Sequence, residues 1–377
     1  MMYLYNLNIR NIKEYCDRGA KIICFGSGRA FYNFWNVTAD DELLDKVKFV
    51  VDNDELKQGY AMKFRNKYIC DIIPFNKLLE IDMNNYIIIV TTGYLNDVLK
   101  QLSSAGDKLK KVPVTYYGFV LDNIMMDYIN NTNQDMLEIP QGKEVIPRRI
   151  HYCWFGGRKI PDQYKKWMNS WRKYCPDYEI IRWDESNYDI CKIPYMREAY
   201  GCAKYSFVSD YARFDILYQY GGIYLDTDVE ILRPLDDLLC QKAFMGTEFP
   251  SNMIATGLGM GAVPRHDGIK LLMNDYVERK FIREDGSMDL TTCPIIQSSS
   301  LAKYGFQLNG ERQTVNNIEI YPNMVFSPYL PYRKEMIYND VSYLCHHYAA
   351  SWVDENKIYR NKSVSELFKL FSRGESM

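Results

Sequence analysis

Asp226 and Asp228 stand two residues apart in the string YGGIYLDTDVEIL, directly after Gly221-Gly222. IYL and VEIL read as strand. On an extended chain residues i and i+2 face the same side, which brings the two carboxylates within roughly 7 Å of each other. Like charges that close on a buried strand repel and lose hydration, so a cation or hydrogen-bond donors must compensate. A hard divalent ion such as Mg²⁺ or Mn²⁺ suits oxygen ligands and commonly bridges protein carboxylates to substrate phosphates. Just upstream, Phe207, Tyr211, Phe214 and Tyr218 recur at helical spacing, and the glycine pair ends that helix. Asp210 and Arg213 share another of its faces, three residues apart. Taken alone they read as a surface ion pair worth about a few tenths of a kcal/mol.

Four histidines occur in the chain. His151 and His266 read as structural. In HHYAASW, His346 and His347 precede Ser351 and Trp352 closely enough for one imidazole to complete an oxygen-rich metal shell. Trp154 ends the strand RIHYCW before Gly156-Gly157 and reads equally as core or as a platform for stacking a nucleobase.

The elements that must position these groups fall into two segments. A chain of 377 residues suggests two domains, at roughly 100 to 200 residues each. In the first, KIICF runs through Gly26-Ser27-Gly28 into a helical pattern, the opening of a Rossmann-type βα unit. A second strand ends in Asp52, about where a ribose-binding acid sits, and a third covers Tyr86 to Val90 before a helix over Leu95 to Leu102. Strands alternating with helices predict a small parallel sheet. The third glycine of a dinucleotide fingerprint is absent, Phe31 standing there. Gly26, Gly28 and Asp52 therefore mark either a nucleotide-type ligand site or a scaffold that binds nothing. The boundaries expected are a Rossmann-like domain over 1–122, a polar linker over 123–144 and a second domain over 145–377. In the second domain RIHYCWF and YEIIRW read as strands flanking a helix over Tyr164 to Tyr174, with Trp167, Trp171 and Trp183 as core. The stretch SVSELFKLF puts Val364, Leu367, Phe368 and Phe371 on one face, for docking on the core or touching a membrane surface.

Composition removes several classes. With 46 basic and 48 acidic residues the net charge is −2, so no basic field exists to grip nucleic acid. Apolar residues at 47% and charged residues at 25% are ordinary for a globular protein. The 10 cysteines are scattered without a Cys-x-x-Cys pair, reading as reduced thiols. No signal peptide is evident, nor an apolar run of the roughly 20 residues that span a bilayer. A cytoplasmic protein, or one peripheral at the inner membrane face, is expected. The 32 tyrosines suit sugar or base stacking or reflect compositional bias.

From about Ile146 to Trp352, the strings IPRRIHYCWFGG, SWRKYCPDYEIIRWDE, REAYGCAKYSFVSDYARFDILYQYGGIYLDTDVEIL and HHYAASW occur in order. They resemble the bacterial and fungal sugar transferases of glycosyltransferase family 32, the family with a DXD-containing sugar-binding region. That family includes enzymes of capsular and surface polysaccharide synthesis, and the large clostridial glucosylating toxins share its core pattern. The resemblance implies a GT-A fold, preceded here by the Rossmann-like domain. It also implies a nucleotide-sugar donor, UDP-sugar rather than GDP-sugar, a divalent cation (Mn²⁺ or Mg²⁺) and retention of anomeric configuration. A hexose or N-acetylhexosamine would pass to an oligosaccharide or lipid-linked saccharide acceptor. By the same resemblance Trp154 stacks on the donor base, while Asp210 and Arg213 hold the sugar hydroxyls and the diphosphate side. Asp226 contacts ribose and sugar, sometimes through the ion. Asp228 ligates the metal together with His347, chosen over His346 by its spacing to Trp352. Trp352 donates its indole N–H to the departing phosphate oxygen.

Two other readings stand beside this one. The first is an NAD(P)-dependent oxidoreductase or epimerase centred on the Rossmann segment, against which count the incomplete glycine fingerprint and the lack of a Tyr-x-x-x-Lys pair after it. The second is a non-catalytic sugar-nucleotide-binding protein.

Overall fold

The computed structural model describes residues 4–131, 137, 139–337 and 339–349. They divide into two compact units, Met1–Asn130 with Leu330–Glu335, and Asn131–Tyr329 with the described residues from Met336 to 349. The expected boundaries therefore move. Residues 123–131 are not linker but the second half of a helix, Tyr117–Asn131. Leu121, Met125 and Ile129 recur at intervals of four on its buried side, an apolar stripe that the neighbouring asparagines mask in the sequence.

In the first unit the elements run β1 (Leu4–Tyr5), α1 (Ile9–Asp17), β2 (Lys21–Phe25), α2 (Arg29–Thr38), α3 (Asp41–Leu44), β3 (Val47–Val51), β4 (Ala61–Phe64), β5 (Lys67–Ile73), α4 (Phe75–Leu78), β6 (Tyr86–Val90), α5 (Leu95–Ser104), β7 (Val114–Tyr116) and α6 (Tyr117–Asn131). Among the described residues they form one sheet of order β1-β7-β6-β2-β3-β5-β4, parallel except for the β4–β5 pair. Strands β2 and β6 are almost wholly buried, as continuous runs of Ile, Val, Cys and Phe require when a parallel sheet is covered on both faces. The order in which successive strands are added reverses at β2, which pairs in parallel with β3 on one side and β6 on the other. Gly26 follows β2 at φ +116°, and a Cβ there would lie 2.6 Å from the Thr91 carbonyl oxygen. Close approach of two loops at this crossover is what demands glycine.

In the second unit the elements are β8 (Arg149–Cys153), α7 (Asp162–Tyr174), β9 (Glu179–Trp183), α8 (Pro194–Gly201), α9 (Tyr205–Tyr220), β10 (Gly222–Tyr224), β11 (Val229–Ile231), β12 (Ala243–Gly246), β13 (Met260–Ala262), α10 (Asp267–Asn274), α11 (Cys293–Ala302), β14 (Gln313–Val315), β15 (Ile318–Tyr321) and, near the end of the described chain, β16 (Leu344–His346). Seven of these strands form a mixed sheet of order β14-β15-β12-β13-β10-β8-β9. Strands β9, β8 and β10 are parallel, and β13 runs against both β10 and β12. Strand β11 pairs with β16 in a separate ribbon. The α/β class expected from the sequence is thus observed, with a parallel block in each unit.

Helix α9 is buried nearly all round. From Val208 through Leu217 only Ser209 falls outside the core, because α8, α10 and the sheet close over it. The Asp210–Arg213 pair is consequently no surface pair: the two residues are 6% and 3% exposed. His151 on β8 is equally enclosed. Trp183 Nε1 donates to its Nδ1 at 3.1 Å, so the ring proton sits on Nε2 and is donated to the Gly221 carbonyl at 2.9 Å. Burial pushes its pKa down to about 4, fixing a neutral structural histidine. Of the tryptophans expected in the core, Trp171 and Trp183 are buried. Trp167 is only half-buried and stacks on His347 with ring centroids 4.3 Å apart. No helix of the described residues is long and apolar enough to cross a membrane.

Candidate active site

Pairing register sets where the chemistry converges. The C-terminal ends of β8, β10 and β12 and the N-terminal end of β13 share one edge of the second unit's sheet, since Tyr224 pairs with both His151 and Met260, and Met245 with Met260. In open α/β sheets the carboxyl ends of parallel strands are where ligands sit. Trp154 leaves β8 at this edge, half-buried, its indole N–H donated to the Arg158 carbonyl at 2.6 Å and its ring edge-to-face with Tyr164.

Asp226, Thr227 and Asp228 lie in the turn between β10 and β11, not on an extended strand; Val229 N–H closes the turn onto the Asp226 carbonyl at 3.1 Å. The turn still brings the carboxylates together. Asp226, Asp228 and His346 each present one ligand atom, all within 4.8 Å of one another. His346, not His347, completes the cluster, with Nε2 3.2 Å from Asp228 Oδ1. The β11–β16 register decides this: Val229 pairs with His346 and Glu230 with Cys345. Side chains alternate along a strand, so His347 shares the opposite face with Cys345 and meets Glu230 there, its Nε2 2.9 Å from Oε2. Trp352 falls outside the described residues, as does the 363–371 stretch.

Arg213 links the cluster to helix α9. Its Nη2 lies 2.9 Å from Asp210 Oδ1 and 3.7 Å from Asp226 Oδ1, its Nη1 donates to Thr256 Oγ1 at 3.2 Å, and its Nε to the Ser209 carbonyl at 3.1 Å. The guanidinium sits over the Tyr224 ring, whose hydroxyl donates to Asp226 Oδ1 at 3.0 Å. Cys293, at the start of α11, approaches Nη1 at 3.8 Å. Thr256, Gly257 and Cys293 carry no spacing signal in the sequence, and only the fold gathers them; Tyr224, two residues before Asp226, is findable by the same spacing that pairs the two acids.

Charge in the site is distributed unevenly. Burial pushes Asp210 up to about 6, Arg213 pulling the other way and Asp226 adding to the rise. Burial also raises Asp226, with Arg213 opposing and Asp228 reinforcing. Asp228 ends below the usual carboxylate range: burial opposes its charge, but the charge and hydrogen bond of His346 outweigh it. His346 rises in return, burial being overcome by Asp228. The protonated imidazole thus stands in for a cation between the carboxylates, so two oxygens and one nitrogen fit a divalent ion once that proton leaves. Since His346 holds its proton more tightly than an ordinary imidazole at 6.5, divalent-ion affinity should rise as pH is raised above that value, with proton release measurable by calorimetry in buffers of different ionisation enthalpy. A flat pH profile would remove His346 from the ligand set.

Asp226 is steered by backbone too. Its N–H donates to the Gly257 carbonyl at 3.2 Å, and a Cβ on Gly257 would collide with Asp226 Oδ2. Gly257→Ala should lower turnover by about a hundredfold with little loss of thermal stability, because a displacement of roughly 1 Å at a reacting constellation is that costly.

In the first unit Gly26, Gly28 and Asp52 do meet, in a cleft of about 830 Å³ that also takes in Arg29, Asn33 and Thr92. Asp52 is turned inward. Its Oδ2 accepts from Ser27 N–H at 2.9 Å and Ser27 Oγ–H at 2.5 Å, and its Oδ1 from Asp54 N–H at 3.0 Å. Its oxygens are engaged with the protein itself, which weakens the ribose-binding role.

One edge of an α/β sheet thus gathers two acids, a histidine and a buried aspartate–arginine pair. Residues 161–245 match the family model described as glycosyltransferase sugar-binding region containing DXD motif. The chain is similar to mannosyl phosphorylinositol ceramide synthase SUR1 of Saccharomyces cerevisiae, at 32% identity over 167 residues, 41% of each chain. It is also similar to inositol phosphoceramide mannosyltransferase 1 of Schizosaccharomyces pombe, at 33% over 122 residues, 29% of this chain and 37% of that one. Among solved structures it aligns with PaToxG glycosyltransferase at TM-score 0.34 and 15% identity, over 49% of this chain and 79% of that one. Its sequence homologues are thus glycosyltransferases, and it spans about two fifths of the length of these two curated relatives. Both are fungal enzymes named for inositol phosphoceramide; neither is a capsule or surface-polysaccharide synthase.

Proposed function

We propose that this chain is a divalent-metal-dependent, retaining glycosyltransferase that moves a hexose from a nucleotide-sugar donor to a lipid-borne saccharide or polyol head group. The observation that carries the reading is the convergence of Asp226, Asp228 and His346 beside the buried Asp210–Arg213 pair. The names of the fungal relatives favour mannose and an inositol-phosphate lipid over the surface polysaccharide that the sequence resemblance suggests.

The chemistry asks for little besides charge. Breaking the bond from the anomeric carbon to a diphosphate builds negative charge on the leaving group. Asp228, His346 and Asp226 would hold a divalent ion, which when bound would supply Lewis-acid stabilisation of that charge. Arg213 lies at the same place with its orientation locked by Asp210, Thr256 and the Ser209 carbonyl, a preorganised donor that needs no rearrangement as charge develops. Asp210, clamped on Arg213, is placed to accept from a sugar hydroxyl. Trp154 offers a ring for the base at the mouth of β8. Same-face attack by the acceptor suits retention better than a covalent intermediate, since Asp226 and Asp228 are committed to donor and ion.

Purified protein with Mn²⁺ or Mg²⁺ and a panel of UDP- and GDP-sugars should slowly hydrolyse one donor, and EDTA should stop it. NMR of the released sugar should show the donor's anomeric configuration first. Binding without cleavage of any donor would leave the non-catalytic reading. Tight NAD(H) binding with no donor bound would favour the oxidoreductase, and a sugar trapped on a carboxylate would overturn same-face attack.

A further inference from the structure

Residues 277–295 carry an unusual surface. Phe281 and Ile282 run out, the chain turns through Glu284, Asp285 and Gly286, and Met288 to Leu290 run back, with Ile282 bridged antiparallel to Met288. Arg283 N–H donates to the Ser287 carbonyl at 2.8 Å to close the turn, and Gly286 takes φ +80°. Side chains alternate across such a ribbon. The inward face holds Phe281, fully buried against Tyr195 and Phe207, and Asp289, 7% exposed. The outward face, where polar residues belong, holds Ile282, Met288 and Leu290 instead, exposed to 38, 39 and 52%. Val277 and Ile295 flank it, also exposed.

The ribbon is braced. Arg279 and Arg283 both bind Asp289, at 2.7 and 3.0 Å, Thr291 Oγ1–H donates to the same carboxylate at 2.6 Å, and Glu198 accepts the N–H groups of Phe281 and Ile282 at 2.9 and 3.0 Å. It also adjoins the active site, because three residues after Leu290 comes Cys293, in contact with Arg213.

We infer that this ribbon is a lip that seats the active site on a lipid surface. The inference rests on the lipid-borne acceptor proposed above, which obliges the site to meet a bilayer. The lip's chemistry fits the apolar boundary of a membrane better than a protein partner. Its outward side chains are flexible aliphatics without the Trp, Tyr or Arg anchors that dominate protein interfaces, and exposed Ile, Met and Leu gain by burial at the head-group boundary. Arg279 and Arg283 share Asp289, and with Lys280 they stand against Glu278, Glu284, Asp285 and Asp289, so the ribbon carries no excess of positive charge; contact is driven by aliphatic burial and needs neither anionic lipid nor low salt.

The test is co-sedimentation of the full-length protein, without donor or metal, with phosphatidylcholine vesicles and with vesicles containing added phosphatidylserine. The protein should bind both with little dependence on salt, and Ile282→Ser/Met288→Ser/Leu290→Ser should weaken binding by about tenfold or more. Val145→Ser, at another exposed aliphatic residue, should not. Should the triple variant misfold by near-ultraviolet circular dichroism, Ile282→Trp replaces it: indole emission should shift to the blue on vesicles and be quenched by brominated lipid. Absence of binding, binding only to phosphatidylserine at low salt, undiminished binding of the triple variant, or an unquenched Trp at 282 would each overturn the lip. So would a dimer lost in the variant without any vesicle binding. Vesicle binding is read without donor, so it fails or succeeds independently of transfer, and donor hydrolysis in solution should be the same in wild type and variant.

Discussion

Asp228→Ala is expected to abolish donor hydrolysis, by about a thousandfold or more, and to remove divalent-ion binding. Asp228 is the acid in the cluster whose ionised form the site favours, and its Oδ2 also accepts the Ala349 N–H at 2.9 Å. Removing it takes away the charge that holds both the ion and the His346 imidazolium. The neighbouring histidines sharpen the test. His346→Ala should lower metal affinity by at least about tenfold, whereas His347→Ala, which breaks only the Glu230 contact and the Trp167 stack, should leave it nearly unchanged. Calorimetric titration with Mn²⁺ reads both. The reverse pattern would return the ligand role to His347, and full activity in Asp228→Ala would end the metal-dependent reading.

Arg213→Met should destabilise the second unit by about 3–5 kcal/mol and eliminate turnover, because it leaves Asp210 and Asp226 beside each other without their cation. The pH dependence has a defined sign. Asp210 already binds its proton more tightly in the fold than in the open chain, at about 6 against an ordinary 3.8, so its ionisation costs stability as pH rises through that interval. Loss of Arg213 removes the opposing charge and moves Asp210 further up. Urea unfolding should therefore find the variant's deficit smaller near pH 5 than near pH 8, where both acids are forced to ionise. An equal deficit at both would mean that Arg213 acts through packing alone. Arg213→Lys should recover part of the stability but little activity, since an ammonium cannot reach Asp210, Thr256 and Asp226 from one planar group.

Much of the fold was legible in the chain. Apolar runs located the strands over 21–25, 47–51, 86–90, 149–153 and 179–183, most plainly at 21–25 and 86–90, where burial on both faces of a parallel sheet imposes a nearly unbroken apolar string. The pairing of Asp210 with Arg213 and of Asp226 with Asp228 followed from spacings of three and two, which local geometry converts directly into proximity. What spacing could not supply is anything set by a neighbouring strand or helix. His346 and His347 are equivalent in sequence, and only the β11–β16 register, which alternates their faces, separates them. Asp210 and Arg213 look like surface residues until α8 and α10 close over α9, and that enclosure turns a weak ion pair into the electrostatic centre of the site. Thr256, Gly257 and Cys293 reach Arg213 and Asp226 across 31 to 80 residues of chain, and no local pattern encodes contacts so distant. The sequence by itself determined which residues could bear charge and which strands would bury. Tertiary structure decided which of them share one desolvated space, because desolvation belongs to the enclosure and not to any residue in it.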